Sequence, residues 1–234
     1  MKKVRVEAST KKDRTSEIFG NPMSKKVIRK AQKSKQKNQK KYGDDSKVNY
    51  QCIIRDNPCI GEPLGVKNVV VTRKEGKGSF DEERGVIVGN IRMGFGHYRI
   101  SMAIASAAHA LGYTPYWMDL NSYPETTCTK LISAQNELYS LGSRISQKSK
   151  LFNKFVWEPV NYEGFRQLSY NAADQKNAEL MAPVYHSVPK DIPVIATHVW
   201  PAQAAVHAGM KHVVNAIPDN WPMALHYAQG SLHT

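Results

Sequence analysis

The stretch that decides the fold is Gly85-Val-Ile-Val-Gly-Asn-Ile-Arg-Met-Gly-Phe-Gly-His-Tyr-Arg-Ile-Ser101. Val86, Ile87 and Val88 form a short apolar, β-branched run, which predicts a strand buried on both faces. Gly94 and Gly96 then supply backbone freedom for a tight turn. From Ser101 to Leu111 the residues are small and helix-favouring. Ser101 is expected to cap the helix start and Gly112 to follow its end. A second extended run, Tyr113 to Leu120, carries Asp119 near its end. The pattern is strand, glycine turn, helix, strand: a βαβ unit with His97 at the turn.

The physics of such a turn points to a ligand. A helix N-terminus presents unpaired N–H groups and partial positive charge, so it favours phosphate, carboxylate or developing negative charge. In open α/β sheets ligands sit beyond the carboxyl ends of strands, where Gly94 to His97 are expected. The alternative is an ordinary tight turn with a surface histidine.

The charge is unevenly spread. The 234 residues carry a formal net charge of +13. The first 50 hold 16 Lys/Arg against 5 Asp/Glu, whereas the remainder holds 17 against 15 and is close to neutral. Lys25 to Lys41 alone contains nine Lys/Arg and no acid. Residues 1–47 are therefore expected to be a basic, largely disordered tail, because their composition buries too little apolar surface to offset ordering entropy. Such a tail suits anionic membrane better than a specific nucleic-acid site, and a solvated tail is the plainer reading. Cys52, Cys59 and Cys128 form no CxxC pair, so neither a disulfide framework nor a zinc site is suggested. The N-terminus lacks the apolar core of a signal peptide, and no apolar run reaches the roughly 18 residues of a membrane span. The expected location is cytoplasmic, with peripheral attachment at the inner membrane face as a further expectation.

Residues 48–84 are expected to form a small appendage, with candidate strands at Cys52-Ile-Ile and Val66–Thr72. After Leu120 a helical region is predicted from about Thr127 to Lys150, with one apolar stripe at Leu131, Leu138, Leu141 and Ile145. Leu151-Phe-Asn-Lys-Phe-Val-Trp157 mixes aromatics with Lys148, Lys150 and Lys154, which suits a membrane interface or greasy groove, or else a core contact beside a solvated face. Residues 165–182 read as a helix ended by Pro183. Pro193 to His198 and Lys211 to Ile217 read as strands, separated by a helix over Pro201–Ala208. His198, Asp219 and Asn220 then fall at strand ends, on the rim that carries Gly94 to His97 if the sheet is parallel.

No Gly-Lys-Ser/Thr tripeptide, HExxH or Asp-x-Asp pair occurs, so neither Walker-type phosphate binding nor a metal mechanism is supported. A dinucleotide fingerprint fits in part, through Gly94, Gly96 and Asp119. Its third glycine position is Arg99, too large for that close approach.

Gly94-Phe-Gly-His97, with Ile100, Ala103, Ala105, Ala108, Leu111 and Gly112, resembles the glycine–histidine loop and first helix of GT-B glycosyltransferases. The similarity is to lipid galactosyl- and glucosyltransferases of the monogalactosyldiacylglycerol synthase type and to the peptidoglycan-lipid N-acetylglucosaminyltransferase. Ile195-Ala-Thr-His198 and Ala216-Ile-Pro-Asp219 are similar to the paired strands that close the N-terminal half of those enzymes. The resemblance implies a Rossmann-like, mostly parallel α/β domain over 85–234 that binds the acceptor. It implies His97 as general base of an inverting transfer from a nucleotide sugar to a hydroxyl or lipid acceptor, without a metal or other cofactor. Gly94, Phe95, Gly96, His198, Asp219 and Asn220 would then bind substrate. The sequence stops at Thr234, where the resemblance would place the start of the sugar-nucleotide domain, so a C-terminal donor domain beyond these residues or a second chain is expected to hold the nucleotide. Two alternatives stay open: a nucleotide- or NAD-binding enzyme using Gly94, Gly96 and Asp119, and a non-catalytic module whose basic tail contacts nucleic acid or membrane.

Overall fold

The computed structural model describes residues 13–233 apart from Glu75, Lys77, Gly78, Asp219 and Trp221. A two-residue hairpin, β1 (Glu17–Ile18) and β2 (Asn21–Pro22), precedes the helix α1 (Lys25–Tyr42). Next come β3 (Gln51–Asp56), the short helix α2 (Gly61–Leu64), β4 (Lys67–Thr72) and β5 (Gly85–Asn90). Helix α3 (Phe95–Ala110) leads to β6 (Thr114–Asp119), then α4 (Thr127–Lys148) and α5 (Lys150–Phe152). Two π-helical turns, Asn153–Trp157 and Val160–Gly164, separate these from α6 (Leu168–Met181). The chain continues through β7 (Val194–Ala196), α7 (Val199–His207), β8 (Val213–Asn215) and β9 (Leu232–His233).

One seven-stranded sheet runs in the order β3-β4-β6-β5-β7-β8-β9. All neighbours pair in parallel except β3, which lies antiparallel on β4 as an edge strand. The fold is α/β and Rossmann-like, as the sequence predicts. Val86, Ile87 and Val88 are all buried, because helices cover both faces of the central strand. At about 1.5–3 kcal/mol per fully buried branched side chain, this one strand anchors the sheet. Val88 and Trp117 pack with Ala105 of α3 on one face, and Ile87, Met118 and Val194 pack with the alanines of α7 on the other. The chain steps from β5 through α3 to β6 in one direction and from β7 through α7 to β8 in the other. The strand order therefore reverses between β5 and β7, and this is the place where open α/β sheets leave a crevice.

Three expectations need correction. Helix α3 begins at Phe95 rather than Ser101; Ser101 is buried within it and its hydroxyl bonds back to the His97 carbonyl at 2.9 Å. The Lys-rich run of the supposed tail is α1, an 18-residue helix capped by the Ser24 hydroxyl. Its less exposed positions, from Val27 through Ala31, Ser34 and Asn38 to Tyr42, recur at helical spacing. That face mixes Val27, Ala31 and Tyr42 with polar side chains, and it docks on α6 through a Lys35–Glu179 ion pair and an Asn38–Asn177 hydrogen bond of 2.9 Å. Charge content alone hides such a face. Residues 1–12 of the expected tail lie outside the described residues. Finally, the expected appendage over 48–84 is no separate unit, since β3 and β4 extend the main sheet.

Candidate active site

Two helix N-termini meet at the β5/β7 boundary. Helix α3 has no side-chain cap, and Gly94 precedes it at φ +83°, a left-handed geometry that favours glycine. Its first N–H groups are thus free of side-chain partners. Helix α7 is capped by His198, whose Nδ1 accepts from the Trp200 backbone N–H at 3.2 Å. The two histidines stand edge to face, with ring centroids 5.0 Å apart and planes at 81°.

The protonation pattern follows from their partners. His97 Nδ1 lies 2.6 Å from the Thr197 carbonyl oxygen. A carbonyl only accepts, so Nδ1 carries the hydrogen and Nε2 of the neutral ring keeps its lone pair. The Thr197 hydroxyl sits 3.0 Å from Ser101 Oγ, which ties the end of β7 to α3 below the ring. In His198 the roles are reversed: Nδ1 accepts, so the hydrogen of the neutral ring sits on Nε2. Burial, with His97 and His226 nearby, holds the His198 pKa well below its ordinary value, so this ring is neutral at pH 7.

Both histidines open onto a cleft of about 1390 Å³. Its walls come from α1, α4, the π-helical turns, α6 and the loops after β7 and β8. Aromatic side chains dominate one wall, including Tyr139, Trp157, Tyr162, Phe165 and Tyr170. Lys37, Lys41 and Arg166 supply positive charge.

The expected site residues divide as follows. His97, His198 and Asn220 line the cleft. Gly94, Phe95 and Gly96 lie on the adjacent exposed rim, outside the lining, with Phe95 82% exposed. Asp219 lies outside the described residues. Asp119, the acid of the dinucleotide alternative, accepts from Arg92 Nε at 2.6 Å, Ser122 Oγ at 2.8 Å and the Asn121 N–H at 3.0 Å. Both its oxygens are engaged within the chain. Among the described residues, no group of three or more His, Cys, Asp or Glu is placed to hold a metal ion.

The apolar stripe of α4 also departs from expectation. Leu131 is buried, but Leu138, Leu141 and Ile145 are exposed, because α4 runs past the sheet. In the following segment Trp157 folds against Tyr139, whereas Leu151, Phe155 and Val156 face outward.

Several cleft residues carry no motif. Asp174, Trp200 and Asn215 are 5%, 6% and 1% exposed, and each holds a buried polar atom without a hydrogen-bond partner. Burial pushes the Asp174 carboxyl up to about 7, with the Trp200 indole opposing in part. An isolated acid at helical spacing is indistinguishable in sequence from a solvated one, and only the docking of α6 under α1 and against α7 reveals it.

The chain belongs to the family described as domain of unknown function DUF6937, whose family model matches residues 17–234. Neither the curated proteins nor the solved structures contain a match to it.

Proposed function

We propose that this member of the DUF6937 family is the acceptor-binding half of an inverting glycosyltransferase, with His97 as general base. The observation that carries the reading is the 2.6 Å contact between His97 Nδ1 and the Thr197 carbonyl beside the switch-point cleft. It fixes the ring and leaves the Nε2 lone pair for a substrate proton. The acceptor oxygen attacks the anomeric carbon as its proton passes to Nε2. The bond from that carbon to the donor's phosphate breaks, and the nucleoside diphosphate leaves with the electron pair. A positioned base of this kind contributes about 10²- to 10⁴-fold. The uncapped N-terminus of α3 supplies N–H groups and positive potential for charge developing on the leaving phosphate. Neutral His198 adds no positive charge against the imidazolium that forms on His97.

The donor nucleotide would be held by a second α/β unit facing this rim. A lipid acceptor is supported by the outward apolar side chains Leu138, Leu141, Leu151, Phe155 and Tyr162, with Lys148, Lys150 and Lys154 among them. Basic and apolar groups interleaved in this way suit peripheral contact with an anionic bilayer. Among the described residues no helix is long and apolar enough to cross a membrane.

The test incubates this chain together with the donor-binding unit that the reading requires, joined to it or as a separate chain, with radiolabelled nucleotide sugars, a lipid extract and soluble polyols. Label should enter an acceptor, and His97→Ala should abolish incorporation while leaving the melting temperature within a few degrees. No incorporation from any donor, or an unimpaired His97→Ala protein, would refute the reading.

A further inference from the structure

Below the two histidines the cleft has a floor that the base itself does not need. His198 packs edge to face on Trp200, ring centroids 4.7 Å apart. The Trp200 indole in turn leans toward the Asp174 carboxyl, and Asp174 lies near the Tyr170 ring. Asn215, at the end of β8, donates its amide to the His226 carbonyl at 2.7 Å but leaves its own oxygen unpaired. The floor therefore holds a buried acceptor without a partner, Asn215 Oδ1, and a buried carboxyl and indole, Asp174 Oδ2 and Trp200 Nε1–H, that face each other without closing to hydrogen-bond geometry. A buried polar atom without a partner has given up its hydration for nothing in return, so three in one cleft are expensive unless something pairs with them.

The pattern selects a chemistry. A phosphate or carboxylate would bring its negative charge against the Asp174 carboxyl, which ionises as pH passes about 7. An ammonium only donates, cannot satisfy the indole N–H, and would be repelled by Lys37, Lys41 and Arg166 on the same cleft. Hydroxyl groups both donate and accept, so adjacent hydroxyls satisfy all three atoms. Tyr170 and Trp200 also line the cleft, so aromatic carbon is at hand for the C–H face of a ring.

We propose that Asp174, Trp200 and Asn215 form a subsite for a neutral polyhydroxylated ring, a sugar or cyclitol, at the floor of this cleft. The inference rests on the glycosyltransferase reading for its role, as the site that presents an acceptor hydroxyl toward His97. It does not rest on that reading for binding. The raised affinity of Asp174 for its proton fits an acid that lacks a partner in the free protein.

Binding is measured on the full chain with methyl β-D-glucopyranoside and myo-inositol as probes, by saturation-transfer NMR and tryptophan quenching. Phosphate and choline serve as competitors. One of the two probes should bind at millimolar concentration, and Asp174→Leu and Trp200→Phe should each weaken it tenfold or more. Asp174→Leu should also melt at or above the wild-type temperature, because it removes an unpaired carboxyl. A merely structural Asp174 would give a lower melting temperature and intact binding. Should Asp174→Leu fail to fold, Trp200→Phe decides alone. Absence of a signal from both probes, tighter binding of phosphate or choline, or unaltered binding in the variants overturns the proposal. No nucleotide sugar is present, so the outcomes stay separate. A chain that binds the probes but transfers no sugar even with its donor-binding unit present refutes the transferase alone. One that glycosylates a lipid but ignores the probes refutes the subsite alone.

Discussion

Replacing Asp174 by Leu should make the protein more stable, and by an amount that depends on pH. Leu branches at the same atom as Asp, so it fills the space without a charge to desolvate. In the folded chain burial raises the carboxyl from its ordinary 3.8 to about 7. At 1.36 kcal/mol per tenfold change in proton affinity, that displacement is worth roughly 4 kcal/mol. The sign follows from which state holds the proton. Between about pH 4 and pH 7 the unfolded chain releases it and the folded chain keeps it, so this residue lowers stability progressively as pH rises and then levels off. His207 acts in the opposite sense over an overlapping range. Burial and the Arg14 guanidinium depress its pKa to about 4, so the stability its neutral ring carries falls as pH drops below about 6.5. The variant-minus-wild-type difference removes that contribution and isolates Asp174. Urea unfolding followed by tryptophan emission, from pH 4.5 to 8, should show the advantage of Asp174→Leu growing by several kcal/mol. For a chain of this size the melting temperature at pH 8 would rise on the order of 10 °C. A difference that stays flat across the range would show that the carboxyl is solvated or already paired, and the floor of the cleft would lose its unpaired acid.

Two further outcomes test the walls of the cleft. A Cβ at Gly142 would overlap the six-membered ring of Trp157, so Gly142→Ala should displace that indole. The cost should be about 1–3 kcal/mol, with a red shift in tryptophan emission as the check. Asn177 joins α6 to both Asn38 and Ser34 of α1. Asn177→Ala should therefore loosen α1 and speed tryptic cleavage within Lys25 to Lys41 at least several-fold, while cleavage elsewhere is unchanged.

Much of the architecture is written in local pattern. Val86 to Val88 reads as a buried strand because β-branched residues follow one another without a polar break, and Gly112 closes α3 as expected. Pro201 sits early in α7, where its missing N–H costs nothing. These residues also place His97 and His198 on one rim, because parallel strands put all their carboxyl ends together. What local pattern cannot show is pairing over long separation. The Thr197 carbonyl that orients His97 lies a hundred residues away, and backbone groups carry no sequence signature. Helix α1 was hidden for a related reason. Its docking face sets Ser34, Lys35 and Asn38 among the apolar Val27, Ala31 and Tyr42, and becomes recognisable only when Asn177 and Glu179 stand opposite. In α4 the periodicity is real but its partner is missing, so a stripe that reads as core leaves Leu138 71% exposed beside the cleft.

A base at the cleft requires one particular tautomer of the His97 ring. With ¹⁵N-labelled histidine at pH 8, two-bond ¹H–¹⁵N correlation spectra distinguish the hydrogen-bearing nitrogen from the one with a lone pair. The predicted spectrum shows His97 with hydrogen on Nδ1 and a bare Nε2, opposite to the tautomer assigned to His198. Hydrogen on Nε2 of His97 would mean that the Thr197 carbonyl does not hold the ring, and no base would face the cleft.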